Sequence, residues 1–524
     1  MVFSPYYPII YVRGYAMTVD ERNQTAADPF CGFNDGSTVY RAEVDRNARP
    51  RKFVFESPLL RLASDFGYDD VYESGVDITD PDWRPRHGRQ GIPARSVVIY
   101  RYYDAGSTLF GDGEASSIEA YARGLSDLIL RVRDLVVAEE GLAPADFRCY
   151  LVAHSMGGLV ARGFLQNPAL GDDAARVAVD KFFTYATPHN GIEVAGVNVP
   201  SWLSANDLSN FSRERMASYL NLQDAWQRYK RVDFMPEAVM KSSRIFCMVG
   251  TNRSDYYAAR GLSRAFVGHG SDGLVKVENA SVWGLDADAS VTNTAATAYV
   301  YRAHSGPFGI VNSEEAYQNL ARFLFGDVRM DVWLDVDTVT LPPALAGQDD
   351  VEALYQFELL AAPRGKRWSL TRRVAEEDSP ACRTHQQLAS GEAGPRHVYL
   401  STVFLAKYAK VSHDDEALTC SFDLRVRVPD YKVAKVFWPD QHFEGAFLFR
   451  DALTVRVVPP SAPGQPWHCS YRWQMAAGQE DETPLVPELQ EDGRLALRVP
   501  FGTMGQPGLS GQVLLIVCNW NAAA

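Results

Sequence analysis

The chain has 524 residues, 46% of them hydrophobic and 22% charged, with a formal net charge of −13. Such a length exceeds one simple core, so two domains or one heavily decorated domain are expected. The acidic balance argues against a nucleic-acid partner, which needs basic surface to meet phosphate, and against simple electrostatic docking on anionic lipid.

The opening stretch MVFSPYYPIIYV lacks the charged and long apolar regions of a secretory signal, and no apolar run approaches a membrane span. A cytoplasmic location, or export without a cleavable signal peptide, is therefore the expectation, with no transmembrane segment. Residues 8–12, PIIYV, read as a buried strand, followed by Arg13, Gly14, Tyr15 and Ala16. Residues 18–95 are polar and rich in turn formers, with FVFESPLLRL (53–62) as one compact apolar piece. This excursion is expected to shape one wall of an active-site entrance. Val97–Tyr100 is a short strand. Residues 116–140 read as a helix, because Ile118, Tyr121, Leu125, Leu128, Val132 and Leu135 recur at three and four residues. Ser116 with Glu119 is the expected capping box, and Gly141 the stop.

Arg148–Gly158, RCYLVAHSMGG, organises the rest. Cys149–Ala153 has strand character, and Leu159, Val160, Ala161, Phe164 and Leu165 recur at helical spacing, so Ser155 stands on a sharp strand-to-helix turn. Ala153 and Gly157 leave room two residues before and after it. VAHSMGG resembles the nucleophile motif of the α/β-hydrolase superfamily, in the A-x-S-x-G variant of some bacterial lipases. The resemblance covers about residues 5–326 and implies a doubly wound, mainly parallel α/β sheet. It also implies an oxyanion hole built from the backbone N–H groups of Tyr15 and Met156, with Arg13 standing where the family usually has histidine.

Residues 181–186, KFFTYA, are a further strand ending in TPHNG (187–191), a segment similar to one seen in several lipases. His189 is expected near the site, in a structural or substrate-lining role. Residues 191–242 read as a helical cap, whose Trp202 and Leu203 are candidate substrate contacts. RIFCMVG (244–250) is a buried strand that the catalytic acid should follow. Asp272, in GSDGLVKV, resembles the family's acid segment, and Asp255 is the competitor nearer the strand. His304 follows the last β-rich run of the sheet (296–301) and precedes a helix with Asn312 and Glu315 as its expected capping box. The resulting order, Ser155, Asp272, His304, is that of the superfamily.

Beyond Gly326 the pattern changes to period two, in MDVWLDVDTVTL (330–341) and in runs at 353–360, 397–406, 419–428, 445–458, 494–500 and 512–519. No helix is expected there. An all-β sandwich of roughly seven to nine strands is, giving domains 1–327 and 328–524 docked rigidly through a short junction. Seven cysteines without a CxxC pair indicate neither a disulfide framework nor a zinc site.

The resemblance implies a lipase or esterase that cleaves carboxylic esters of hydrophobic acyl groups through an acyl-enzyme, using no cofactor. Its partner is a lipid or small-molecule ester, with a lipid interface as one setting. A phospholipase acting as an exported effector, and a binding protein on a hydrolase scaffold, are the alternatives. Amide and thioester substrates and a structural calcium stay open.

Overall fold

The computed structural model describes residues 3–521 apart from 15–18, 42–50, 110, 112, 114, 195–196, 199–208, 255–269, 307, 349, 365, 367, 411–414, 434–440, 445–446, 463, 476–481 and 504. The expectations for Tyr15, Trp202, Leu203 and Asp255 fall outside the described residues. The chain divides into two compact units, residues 1–297 with 301–320 and residues 298–300 with 321–522.

A seven-stranded sheet carries the site. Its strands in chain order are β1 (Ile9–Val12), β2 (Asp69–Asp70), β3 (Ser96–Tyr100), β4 (Cys149–His154), β5 (Val179–Tyr185), β6 (Ile245–Gly250) and β7 (Ala296–Val300). They lie in the order β7-β6-β5-β4-β1-β3-β2, with parallel ladders from β6 through to β2. Strands covered on both faces read as unbroken apolar runs rather than alternating ones. Accordingly every residue of IIYV, SVVIY, CYLVAH and IFCMVG is buried. From β1 the chain goes to the edge strand β2 and returns inward through β3, then crosses to β4 on the other side of β1 and runs outward to β7. The sheet therefore reverses between β1 and β4, where a doubly wound sheet opens its crevice at the strands' carboxyl ends.

Helix α1 (Ile118–Glu140) connects β3 to β4 and buries Ile118, Leu125, Ile129 and Val132 completely. Its cap is Ser117, one residue later than expected, with Oγ accepting from Ala120 N at 3.2 Å. Ser116 instead donates its N–H to Tyr121 Oη at 2.9 Å. Gly141 ends the helix at φ 67°. Helix α2 (Met156–Gln166) follows the serine, and every one of its residues is buried.

The polar 18–95 stretch contains more structure than its composition suggests: helices Val19–Ala27 and Pro58–Phe66, and a hairpin of Ser37–Arg41 with Arg51–Phe55. Only part of it reaches the site end of the sheet. Gln90 N and Ala94 N bond to Glu139 and Glu140 at the C-terminus of α1, which lies at the opposite end of the strands from Ser155. This corrects the expectation of an entrance wall for residues 86–94.

The 191–242 insertion holds a small hairpin, Glu193–Val194 with Val197–Asn198, and helices α3 (Arg213–Tyr219) and α4 (Gln223–Tyr229). Met216, Tyr219 and Leu220 are buried in the same core as α2. Helix α5 (Glu314–Phe325) begins with Ser313, whose Oγ accepts from Ala316 N at 3.3 Å. Asn312, the expected cap, donates instead to the main-chain oxygen of Gly32 at 3.1 Å.

The second unit is built from two antiparallel sheets of five and nine strands. Its longest strands are Val328–Thr340, Val351–Pro363, Leu418–Arg427, Phe447–Val458 and Gly508–Asn519. Leu418–Arg427 alternates buried and half-buried residues along its whole length, as one face toward a core requires. Phe357, Leu359, Phe422, Leu424, Val455 and Leu515 fill that core. The strand number exceeds the expected seven to nine. The additional strands, such as Thr371–Arg373 and Glu488–Leu489, are too short to show a period. Two short helices, His385–Ala389 and Ala393–Arg396, also stand where none was expected.

Candidate active site

Ser155 occupies the turn between β4 and α2 with φ 52° and ψ −126°. A side-chain-bearing residue rarely adopts this region, and holding one there costs about 1–3 kcal/mol. The surroundings impose it. Ser155 N donates to Tyr185 O at 2.9 Å, extending the β4–β5 ladder into the turn. A Cβ at Gly157 would overlap the carbonyl oxygens of Val12 and Arg13, and one at Gly158 would overlap the Thr187 side chain. Only glycines let the helix start this close to β1 and β5. Met156 opens α2, so its N–H is among those with no intrahelical acceptor.

Asp272 and His304 arrive from two later loops. Gly250 ends β6 where a Cβ would lie 2.8 Å from Asp272 Cβ. The Asp272 carboxylate is divided between two tasks. Oδ1 accepts from Leu274 N at 3.0 Å and Val275 N at 2.8 Å, while Oδ2 lies 2.9 Å from His304 Nδ1. A backbone bond from His304 N to Asp272 O at 3.0 Å ties the two loops together. His304 Nε2 lies 2.9 Å from Ser155 Oγ. Relative exposures are 6% for Ser155, 3% for His304 and 1% for Asp272. The ionised carboxylate can only accept, so Nδ1 carries the ring proton and Nε2 faces the serine hydroxyl with its lone pair.

Several neighbours were not singled out by the sequence. His154, beside the serine, points Nε2 at the main-chain oxygen of His304, 2.8 Å away. Burial first, and the His304 charge next, push its pKa down to about 3. The Arg13–Gly14 segment at the end of β1 lies against this pair, since a Cβ on Gly14 would be 2.8 Å from both His154 Nδ1 and Ser155 Cβ. Two tyrosines reach the same segment: Tyr102 Oη donates to Arg13 O at 2.7 Å and Tyr103 Oη donates to Gly14 O.

His189 is completely enclosed. Its Nε2 lies 3.1 Å from Thr184 Oγ1, and burial holds its pKa well below the ordinary value. That is a structural setting, which corrects its place among the substrate-lining candidates. The same segment works as a brace: Asn190 Nδ2 donates to Asn279 Oδ1 at 3.0 Å, and its Oδ1 accepts from Val232 N at 3.0 Å. Arg162, on α2, is also fully buried. It donates to His189 O, Val232 O, Phe234 O and Gln166 Oε1 at 2.7–2.9 Å. An arginine inside the apolar run LVARGFL was the available signal. Among the described residues no group of three His, Cys, Asp or Glu side chains is placed to hold a metal ion.

The doubly wound parallel sheet with a serine elbow at its reversal point is an α/β-hydrolase fold. No family model matches this chain, and no curated protein does. Among solved structures it is similar to the mature lipase BlEst2 of Bacillus licheniformis, at 14% identity over 59% of this chain and 88% of that one, with a TM-score of 0.28. It is also similar to the phospholipase PlaB of Legionella pneumophila, at 13% identity over 80% of this chain and 86% of that one, with a TM-score of 0.29.

Proposed function

We propose that this protein is a serine hydrolase that cleaves carboxylic esters of hydrophobic acyl groups, with Ser155 as nucleophile, His304 as base and Asp272 as the acid. The observation that carries this reading is the relay of two 2.9 Å contacts from Ser155 Oγ through His304 to Asp272 Oδ2, among side chains that are all buried.

Ser155 Oγ attacks the ester carbonyl carbon while its proton passes to His304 Nε2, because a serine hydroxyl is a weak nucleophile without a base. The Asp272 carboxylate holds the imidazole in the tautomer that can accept this proton and stabilises the imidazolium. The carbonyl oxygen becomes an anion, received by the N–H of Met156 and by the N–H that follows Gly14. Each such donor is worth about a hundred- to a thousandfold in rate. Collapse of the tetrahedral intermediate breaks the ester C–O bond, and the alkoxide leaves with the proton from Nε2. Water then attacks the acyl-serine, gives its proton to His304, and releases the carboxylic acid as Ser155 recovers its hydrogen.

Hydrolysis of nitrophenyl esters from acetate to palmitate, below and above aggregation, tests the reading with Ser155→Ala as control. Activity that is lost in the variant and grows with acyl length supports it. A folded wild type inactive on every ester overturns it.

A further inference from the structure

In the proposed relay the Asp272 carboxylate must stay 2.9 Å from His304 Nδ1. Misplacing a group in such a relay by about 1 Å costs on the order of a hundredfold in rate. The residues after Asp272 build a self-contained hairpin. Besides the two amides on Oδ1, Asp272 N donates to Val275 O at 3.2 Å and Val277 N to Gly270 O at 2.9 Å, and Ser271 pairs with Lys276 in a single antiparallel bridge. These bonds fix the carboxylate within the hairpin. They are internal to it, so they do not fix the hairpin on the core.

Lys276 reaches out of the hairpin. Its Nζ lies 2.8 Å from Glu193 Oε2, at the start of the 191–242 insertion. The other oxygen, Glu193 Oε1, accepts from Arg213 Nη2 at 2.5 Å, and Arg213 Nε donates to Asn190 O at 3.0 Å. Glu193 is thus held at both oxygens by cations from two different elements, Lys276 beyond the acid and Arg213 at the start of α3. Side-chain exposures are 11% for Glu193, 21% for Lys276 and 19% for Arg213. An exposed ion pair holds little because water screens it, whereas a charge-assisted bond mostly out of water holds its partners in place. Partial burial opposes the Glu193 charge, but the bonds from Lys276 and Arg213 outweigh it and keep its pKa below the ordinary value. A second carboxylate, Glu278, stands 4.0 Å from Lys276 Nζ. It is exposed and lies two residues from the lysine, so it anchors the hairpin to nothing else.

We propose that Glu193 is a positioning residue for Asp272: by clasping Lys276 it anchors the acid's hairpin to the segment after β5 and to α3. The proposal rests on the serine-hydrolase reading of the same site. Glu193 touches neither Ser155 nor His304, and it acts through the lysine alone.

The test uses the full chain with Glu193→Gln, Lys276→Met, the two combined, and Lys276→Arg. In Glu193→Gln the amide oxygen still accepts from Arg213 while the NH2 group faces the lysine, so the tie to the hairpin is what is cut. kcat and KM are measured on a nitrophenyl ester. The proton shared by His304 Nδ1 and Asp272 is followed as a downfield NMR resonance, identified by its absence in Asp272→Asn. Labelling by a fluorophosphonate, followed to completion, counts the folded sites. Expected for Glu193→Gln and for Lys276→Met is a fall in kcat of about ten- to fiftyfold with KM within about twofold, and a resonance broadened or lost. The double variant stays within about twofold of either single one, because both cut the same tie. Lys276→Arg keeps a donor in reach and most of the wild-type kcat.

A kcat within about twofold of wild type in both single variants overturns the proposal, as does a change confined to KM. Losses that multiply in the double variant, a fall in kcat with the resonance intact, or a Lys276→Arg as slow as Lys276→Met overturn it too. If Glu193→Gln does not fold, the two lysine variants decide. A wild type that neither labels nor turns over any ester overturns the hydrolase reading and the role of Glu193 with it. A wild type that labels normally alongside variants of equal kcat overturns the role of Glu193 alone.

Discussion

His154 Nε2 stands 2.8 Å from the main-chain oxygen of His304, so the residue beside the proposed nucleophile holds the backbone of the proposed base. The carbonyl accepts, hence Nε2 carries the proton and Nδ1, facing Gly14, is bare. His154→Gln keeps a donor in reach, whereas His154→Leu leaves a buried carbonyl unbonded at a cost of about 1–3 kcal/mol. We expect kcat to fall about tenfold or more in His154→Leu and to stay within about threefold in His154→Gln, because only the first frees the His304 loop. Steady-state kinetics on one ester decide it, and equal losses in the two variants would refute the positioning role.

The depressed pKa of the same histidine has a consequence for stability. Folded His154 titrates near 3 because it is buried, while in the unfolded chain a histidine titrates near about 6.5. Below that value the unfolded state binds the proton first. Stability is therefore complete above about pH 6.5 and declines as pH falls toward 3, by up to about 1.4 kcal/mol per pH unit. His189, also held well below the ordinary value by burial, acts with the same sign. Between pH 7.5 and 5.0, urea denaturation should show His154→Gln losing about 2 kcal/mol less than wild type. Parallel losses would contradict the burial argument.

Asp272→Asn isolates the tautomer. The side-chain oxygen can still accept from Leu274 N and Val275 N, the partners of Oδ1. The amide nitrogen then faces His304 Nδ1 as a donor, forcing the ring proton onto Nε2, where it opposes the serine proton. A fall in kcat of about ten-thousandfold is expected, with the melting temperature nearly unchanged. A loss below about tenfold would instead point to another acid.

Arg162→Met probes the insertion. The guanidinium serves four oxygens, two of them the Val232 and Phe234 carbonyls. Its charge is held without a carboxylate bonded to it, and burial lowers its pKa to about 10. Removing it strands buried carbonyls, so the variant should lose about 3 kcal/mol or more by urea denaturation. A loss under about 1 kcal/mol would mean that water takes the place of the side chain.

The parallel sheet was legible because strands covered on both faces are continuous apolar runs, as CYLVAH and IFCMVG are. Ser155, Asp272 and His304 could be singled out because each stands just past such a run or in a segment with familiar flanks. The Tyr102–Arg13, Tyr103–Gly14 and His154–His304 contacts could not be. All three end on carbonyl oxygens, which every residue has, so no side-chain pattern advertises them. Helix starts slipped by one residue at Ser117 and Ser313, because adjacent polar residues compete for a cap and packing decides between them. In the second unit the long strands were readable from their alternation and the three-residue ones were not.

The turn at Ser155 sets two demands on one residue against each other. At φ 52° a glycine would sit there without strain, so the chain would fold more securely with no hydroxyl at that position. Random substitution selected only for thermal tolerance should drift toward Ser155→Gly, and selection for turnover should hold the serine against that drift. The residue proposed as the nucleophile is thus the one that the fold, left to itself, would discard.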